Sequence, residues 1–301
     1  MSRCLVFGGT GFLGRHVVQA LRGAGQQVVV SGFGNDAAAA DMQLDFRDAA
    51  HLAQALEGIE TVIHLAWTSV PKSSTDDPVL DVTSNVVGSI NLFQACVRSG
   101  VHRVVFCSSG GAVYGPASTL PIGETHPVAP QSSYGITKLT VEKYLSMFRL
   151  HTGLEYIILR PGNAYGEGQS GFRGQGVIAA CLHAALTDTE FVVWGDGSIQ
   201  RDYVHVGDVA QAFALASAIR APGEILNIGT GRGRSVDDII ALVGGIVGRR
   251  IRVRRDAARA VDVPANVLDS SRAAAVLGWR PVVSLEDGIA RQWRALLASN
   301  A

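Results

Sequence analysis

Short β-branched runs punctuate the first half of the chain at Leu5–Phe7, Val28–Val30, Thr61–Leu65, Val104–Cys107 and Tyr156–Leu159. Between them, stretches such as Phe12–Leu21, Leu52–Leu56 and Val86–Val97 place apolar residues three or four apart, the spacing of one helix face. Strands apolar on both sides, alternating with helices, predict an α/β fold built on a doubly wound parallel sheet. Beyond Gly166 the rhythm loosens. Glycines crowd from Gly166 to Gly176, a helix-like run follows to Leu186, and a short strand ends at Trp194. The pattern of the first half returns at Val204–Ile228, then gives way to a basic strand, Arg249–Arg255, and helices near Ser271 and Leu285. The reading is a dinucleotide-binding-sized domain over 1–165, rejoined at about 204–230. A smaller interleaved α/β lobe takes 166–203 and 231–301.

Composition narrows the class. With 301 residues, 47% hydrophobic and 17% charged, the chain can bury a large core unaided. Its net charge of +0 gives no pull toward nucleic acid or an anionic membrane. No apolar run approaches the roughly 18 residues of a membrane span. Cys4, Cys96, Cys107 and Cys181 form no C-x-x-C pair, so neither a disulfide framework nor a zinc site is expected. His64, His102 and His205 read as structural, and no metal is assigned. Residues Met1–Phe7 run straight into a glycine turn without a leader pattern, which points to the cytoplasm.

Two features carry chemistry. Gly8-Gly9-Thr10-Gly11-Phe12-Leu13-Gly14 lies between the first strand and the first helix, where glycines let backbone N–H groups approach a pyrophosphate. Tyr134 and Lys138 lie four apart in a helix announced by Pro130 and Ser133, so they share one face. An ammonium beside a phenol is expected to lower the phenol's pKa and make Tyr134 a general base.

With these two features the chain resembles the extended short-chain dehydrogenase/reductase family, in its nucleotide-sugar epimerase/dehydratase branch. Ile63-His64-Leu65-Ala66, Asn85, Ser108-Ser109 before Val113-Tyr114-Gly115, Arg160-Pro161-Gly162-Asn163-Ala164-Tyr165-Gly166, Gly195-Asp196-Gly197, Arg201-Asp202-Tyr203-Val204-His205-Val206 and Arg259 with Asp262 stand in family order. The resemblance implies a Rossmann-type sheet, a nucleotide-sugar substrate, NAD or NADP, and a homodimer. It implies Tyr134 as base and acid, Lys138 on the nicotinamide ribose, and Ser109 on the reacting oxygen, with Ser108 the alternative if the alignment slips by one. For the cofactor it implies Gly8, Gly11, Phe12, Leu13, Gly14, Asp45, Phe46, Leu65, Ala66, Asn85, Ser108 and Pro161. For the substrate it implies Asn163, Arg201 and Arg259 on the diphosphate, Trp194 on the base, Val177 in the pocket wall, and Asn266 beside the sugar C2 substituent, where asparagine leaves room for an acetamido group.

One departure bears on the cofactor. The acidic residue that usually closes the second strand and bonds the ribose is here Gly32, followed by Phe33-Gly34, with Arg15 the nearest cation. NAD is preferred because epimerisation regenerates its own cofactor. The reading is a 4-epimerase. The alternatives are an NADPH-dependent 4-ketoreductase and a non-enzymatic redox sensor, the latter disfavoured by Tyr134 with Lys138. Ser109-Gly110-Gly111, where a 4,6-dehydratase carries an acid pair, disfavours dehydration.

Overall fold

The computed structural model describes residues 3–32, 39–171, 176–219, 221–259 and 262–300. Seven parallel strands form the central sheet: β1 (Arg3–Phe7), β2 (Gln27–Gly32), β3 (Met42–Gln43), β4 (Thr61–His64), β5 (Arg103–Cys107), β6 (Glu155–Pro161) and, much later, β10 (Glu224–Ile228). Their spatial order is β10-β6-β5-β4-β1-β2-β3. Leu5 pairs with Val29 on one side and Val62 on the other. Successive side chains point to opposite faces, and both faces are covered. Leu5 and Phe7 pack with Phe93, Phe106 and Ile158 on one side. Val6 packs with Ile63, Val105, Leu159 and Phe213 on the other. That is why the strands read as continuous apolar runs.

The order reverses at β1, where β2 and β4 diverge. Such a switch point opens a crevice at the carboxyl ends of the strands, the natural seat for a ligand in an open α/β sheet. The first helix, Phe12–Gly23, packs on the helix Val206–Ala218 across the same face.

A second layer gathers around β7 (Asn163–Tyr165) and β9 (Gln200–His205), which pair in parallel. Two short strands, β11 (Gly233–Ser235) and β13 (Ala265–Asn266), flank β9, and β8 (Phe191–Trp194) pairs with β12 (Val253–Asp256). Helices Val177–Thr187, Val236–Val247 and Leu285–Ala298 close this layer over a separate core that includes Ile178, Leu182, Ile239 and Ile289. The chain returns to the large sheet through the helix Val206–Ala218 and β10. Later, Ala273, Leu277 and Trp279 also pack against that sheet's helical layer.

The basic strand is shorter than its pattern suggested. Gly248, at φ +73, ends the preceding helix, and the chain turns back through Arg249–Arg252 before Val253 enters β12. The helix expected over Val86–Val97 is preceded by a π-helical turn, Val82–Val87, and becomes α-helical at Gly88–Arg98.

Candidate active site

The glycine turn is built for close approach. Gly8 takes φ +80, and a Cβ there would stand 2.8 Å from the Ala66 nitrogen; one on Gly14 would stand 2.0 Å from the Gly8 carbonyl. No side chain caps the first helix at Gly11, and its first turn holds no acidic residue. The free N–H groups at Phe12 and Leu13 and the positive helix end therefore suit a phosphate. Leu65 extends the β4 path by donating its N–H to Phe7 O (3.0 Å) and brings Ala66 against the turn. The cradle fits a dinucleotide pyrophosphate.

Gly32 is glycine for lack of room. A Cβ there would meet the Ala40 methyl and Thr10 Cγ2, each at 2.9 Å. The missing carboxylate is thus a packing consequence, and Phe33 and Gly34 lie outside the described residues. Arg15 lines a cavity with Gly9, Thr10 and Val30 beside this position, and its guanidinium also lies near Gly168. Asp45 is held by Arg47, whose Nε donates at 2.8 Å. Phe46 is buried, its ring 5.1 Å from His64, so only its backbone can face a ligand. Asn85 is also fully buried. Its amide donates to Asp81 (2.8 Å), and its oxygen accepts from the Thr68 N–H (2.9 Å), so its side chain shapes the loop after β4.

The helix Ser133–Thr152 brings Tyr134 and Lys138 to the end of β5. Its cap is Ser132, whose hydroxyl accepts from Gly135 N, one residue before the expected signal. The Ser133 hydroxyl instead donates to Asp81 (2.8 Å). The two adjacent serines divide their work. Ser108 is buried and donates to Glu142, whose carboxylate also holds the Arg160 guanidinium (Nε 2.9 Å). The Ser109 hydroxyl faces the Tyr134 phenol and favours its ionised form.

Lys138 does not lower the Tyr134 pKa as the spacing predicted. Its ammonium donates to the Cys107 carbonyl (2.7 Å) and sits 5.6 Å from the tyrosine ring centroid, under the indole of Trp67. Burial dominates at Tyr134 and pushes its pKa above the ordinary phenol value, opposed by the nearby Ser109 hydroxyl. Burial likewise lowers Lys138 to about 8, although Cys107, Glu142 and Asp81 favour its charge.

On the substrate side, Arg201 and Arg259 converge on Asp262, at 3.9 Å and 2.8 Å. Arg201 also donates to the Val263 carbonyl (2.8 Å), and burial lowers its pKa. Trp194 is 42% exposed, so its ring is open to a ligand, and the Arg259 guanidinium lies 5.5 Å from its ring centroid. Asn163 lies beside Gly111, two residues from Ser109. Pro161 closes β6 in the core, and Val177 opens its helix half-buried. Asn266 is 1% exposed; its amide donates to the Gly110 carbonyl (2.9 Å), and its oxygen has no partner.

Four participants had no role assigned from the sequence. Glu142 and Arg160 form a buried ion pair under the serines, and Tyr114 joins it through its hydroxyl (2.9 Å from Arg160). Trp67 covers Lys138. Its only signal was an indole directly after the small residue Ala66.

The profile of the NAD dependent epimerase/dehydratase family matches residues 4–229. The chain is 36% identical over 302 residues to a UDP-glucose 4-epimerase of Mycolicibacterium smegmatis, covering 96% of each chain. It is 34% identical over 231 residues to a dTDP-4-dehydro-6-deoxyglucose reductase of Escherichia coli, covering 77% of this chain and 73% of that one. Its fold matches a crystal structure of UDP-glucose 4-epimerase with UDP-glucose from Thermotoga maritima at a TM-score of 0.94, with 34% identity, over 99% of this chain and 100% of that one.

Proposed function

The chain belongs to the NAD dependent epimerase/dehydratase family, and from that membership we propose that it inverts C4 of a nucleotide-sugar through a transient 4-keto sugar. The observation that carries this reading is the meeting of Ser109, Tyr134 and Lys138 beside the switch-point crevice, in a chain similar end to end to UDP-glucose 4-epimerases. NAD, when bound, supplies the hydride acceptor and then the donor. In its ionised form, which the Ser109 hydroxyl favours, Tyr134 takes the proton of the sugar 4-hydroxyl and later returns one, and Ser109 holds the same oxygen. Lys138 offers its remaining N–H groups to the nicotinamide ribose. Arg201, Arg259 and Asn163 hold the diphosphate, with Trp194 against the base. Residues 166–203 and 231–301 serve as the substrate lobe and the rest as the dinucleotide lobe.

We further propose a cytoplasmic homodimer. No helix is long and apolar enough to cross a membrane among the described residues. Cys96, Cys107 and Cys181 are unbridged thiols, which suits a reducing compartment. Ile136, Met147 and Leu150 leave an apolar stripe on the outer face of the helix Ser133–Thr152, 52%, 41% and 81% exposed, which a second copy would cover. Light scattering should give twice the chain mass.

The similarity to the dTDP-4-dehydro-6-deoxyglucose reductase supports a second reading, an NADPH-dependent 4-ketoreductase. One experiment separates the two. UDP-, dTDP- and GDP-sugars are incubated with the protein, with and without NAD or NADPH, and the products are resolved. Interconversion of C4 epimers without net cofactor change supports the epimerase, and stoichiometric NADPH consumption by a 4-keto sugar supports the reductase.

A further inference from the structure

Trp67 stands where the two halves of the dinucleotide site meet. It follows Ala66, whose backbone lies against the Gly8 turn, and its ring lies over Lys138 with the ammonium 3.6 Å from the centroid. It meets Tyr134 edge-on at 6.2 Å and Phe106 at 6.0 Å, so neighbours hold the indole from two sides. Its Nε1–H is buried with no acceptor. A buried donor left unpaired is a cost that a ligand oxygen would recover.

We propose that Trp67 is a positioning residue of the dinucleotide site, its indole face holding the Lys138 ammonium and its Nε1–H donating to an oxygen of the bound dinucleotide. The inference rests on the NAD-dependent reading above. A cation over an indole face is attracted by the ring quadrupole, most strongly where water is excluded. Lys138 is so placed: it is 2% exposed and makes a single hydrogen bond, to Cys107 O. Around it lie Tyr134 on its own helix face and, from packed elements, Cys107, Glu142, Asp81 and His64. Neither Glu142 nor Asp81 makes an ion pair with it, so beside the Cys107 carbonyl at 2.7 Å the ring is the contact that favours its charge.

The test uses two substitutions and two measurements. Trp67→Phe keeps a ring over Lys138 but removes the donor, and Trp67→Leu keeps an apolar cover but removes both ring and donor. Calorimetric titration of the full chain with NAD should give about a 3- to 10-fold weaker dissociation constant for Trp67→Phe. In Trp67→Leu the alkaline limb of the rate profile should also move about one pH unit lower, because an ammonium that stays covered but loses the ring face gives up its proton more readily. Wild-type NAD affinity in Trp67→Phe would overturn the donor role, and an unmoved limb in Trp67→Leu would overturn the support of Lys138. A wild-type protein that binds no dinucleotide overturns the functional reading and this inference together, whereas wild-type binding with unchanged variants overturns the inference alone.

Discussion

Ser108 donates its hydroxyl to Glu142 inside the core, and this contact leaves the adjacent Ser109 as the serine that meets Tyr134. The buried acid is no idle partner. It pairs with Arg160, whose guanidinium reaches the Tyr114 hydroxyl, which in turn donates to Asn227 on β10 (2.7 Å). Four segments distant in sequence are thereby fixed around the ends of β5 and β6. Successive strand residues point to opposite sides, so one of two neighbouring serines must face inward.

Ser109→Ala and Ser108→Ala should therefore fail differently. The first is expected to lower turnover on the order of 10²-fold, the scale for losing one donor to a reacting oxygen, with an unchanged melting temperature. The second should cost about 1–3 kcal/mol of stability by stripping a partner from Glu142. Steady-state kinetics beside urea unfolding separates the two, and an active Ser109→Ala enzyme would reverse the assignment.

Tyr134→Phe removes the base and is expected to slow epimerisation at least ~10²-fold while NAD binding persists. Because burial lowers Lys138 to about 8, the rate should also fall as pH rises through that value, where the ammonium is lost. A rate that stays flat to pH 10 would remove Lys138 from the essential set.

Much of this architecture was legible because period and punctuation were strong. The runs at Leu5, Thr61, Val104 and Tyr156 all became central strands, and Gly8 to Gly14 sat where a strand meets a helix. Strands of two or three residues such as β3, β11 and β13 carry no measurable period, and their pairing is set by tertiary contact. The spacing of Tyr134 and Lys138 placed them on one face correctly. It could not reveal that the Cys107 carbonyl and Trp67 draw the ammonium away, since both partners come from other strands' ends. Likewise, Gly32 read as a puzzle of cofactor choice until Thr10 and Ala40 were found to fill its side-chain space.

Acid should unfold the protein through His64. This ring is fully buried among Phe7, Phe46, Phe93 and Phe106, and burial lowers its pKa to about 3. The unfolded chain binds the proton near pH 6.5 and the native state does not, so stability is complete above that value. Below it, stability falls by at most about 1.4 kcal/mol per pH unit until pH nears 3. Urea unfolding at pH 7 and pH 5 should show the loss, and His64→Leu should flatten it; equal pH slopes in both proteins would exclude this histidine as the source.

Arg259 is the more exposed of the two arginines on Asp262 and the one beside Trp194. Its replacement by alanine should raise KM for a nucleotide-sugar more than it lowers kcat, because phosphate contacts far from C4 serve ground state and transition state alike. Unchanged nucleotide-sugar affinity by calorimetry would move the diphosphate clamp elsewhere.

Asn266 bears on which sugars fit. Its amide is fixed on the Gly110 carbonyl, one residue from Ser109, while its buried oxygen accepts from nothing. An acceptor in that state gains from any ligand that brings a donor, which an acetamido N–H and a hydroxyl at C2 both do, so discrimination falls to the room beside the side chain. The side chain is also short enough to leave space for the acetyl group. The wild-type enzyme is therefore expected to turn over UDP-N-acetylglucosamine with kcat/KM at least equal to that for UDP-glucose. Asn266→Tyr, which fills that room, should lower kcat/KM for the N-acetyl sugar by about 10-fold or more relative to the unacetylated one. Reporting the ratio of the two sugars cancels any general damage from losing the Gly110 contact. A ratio that does not change, or a wild type inactive on the N-acetyl sugar, removes Asn266 from the specificity of the pocket.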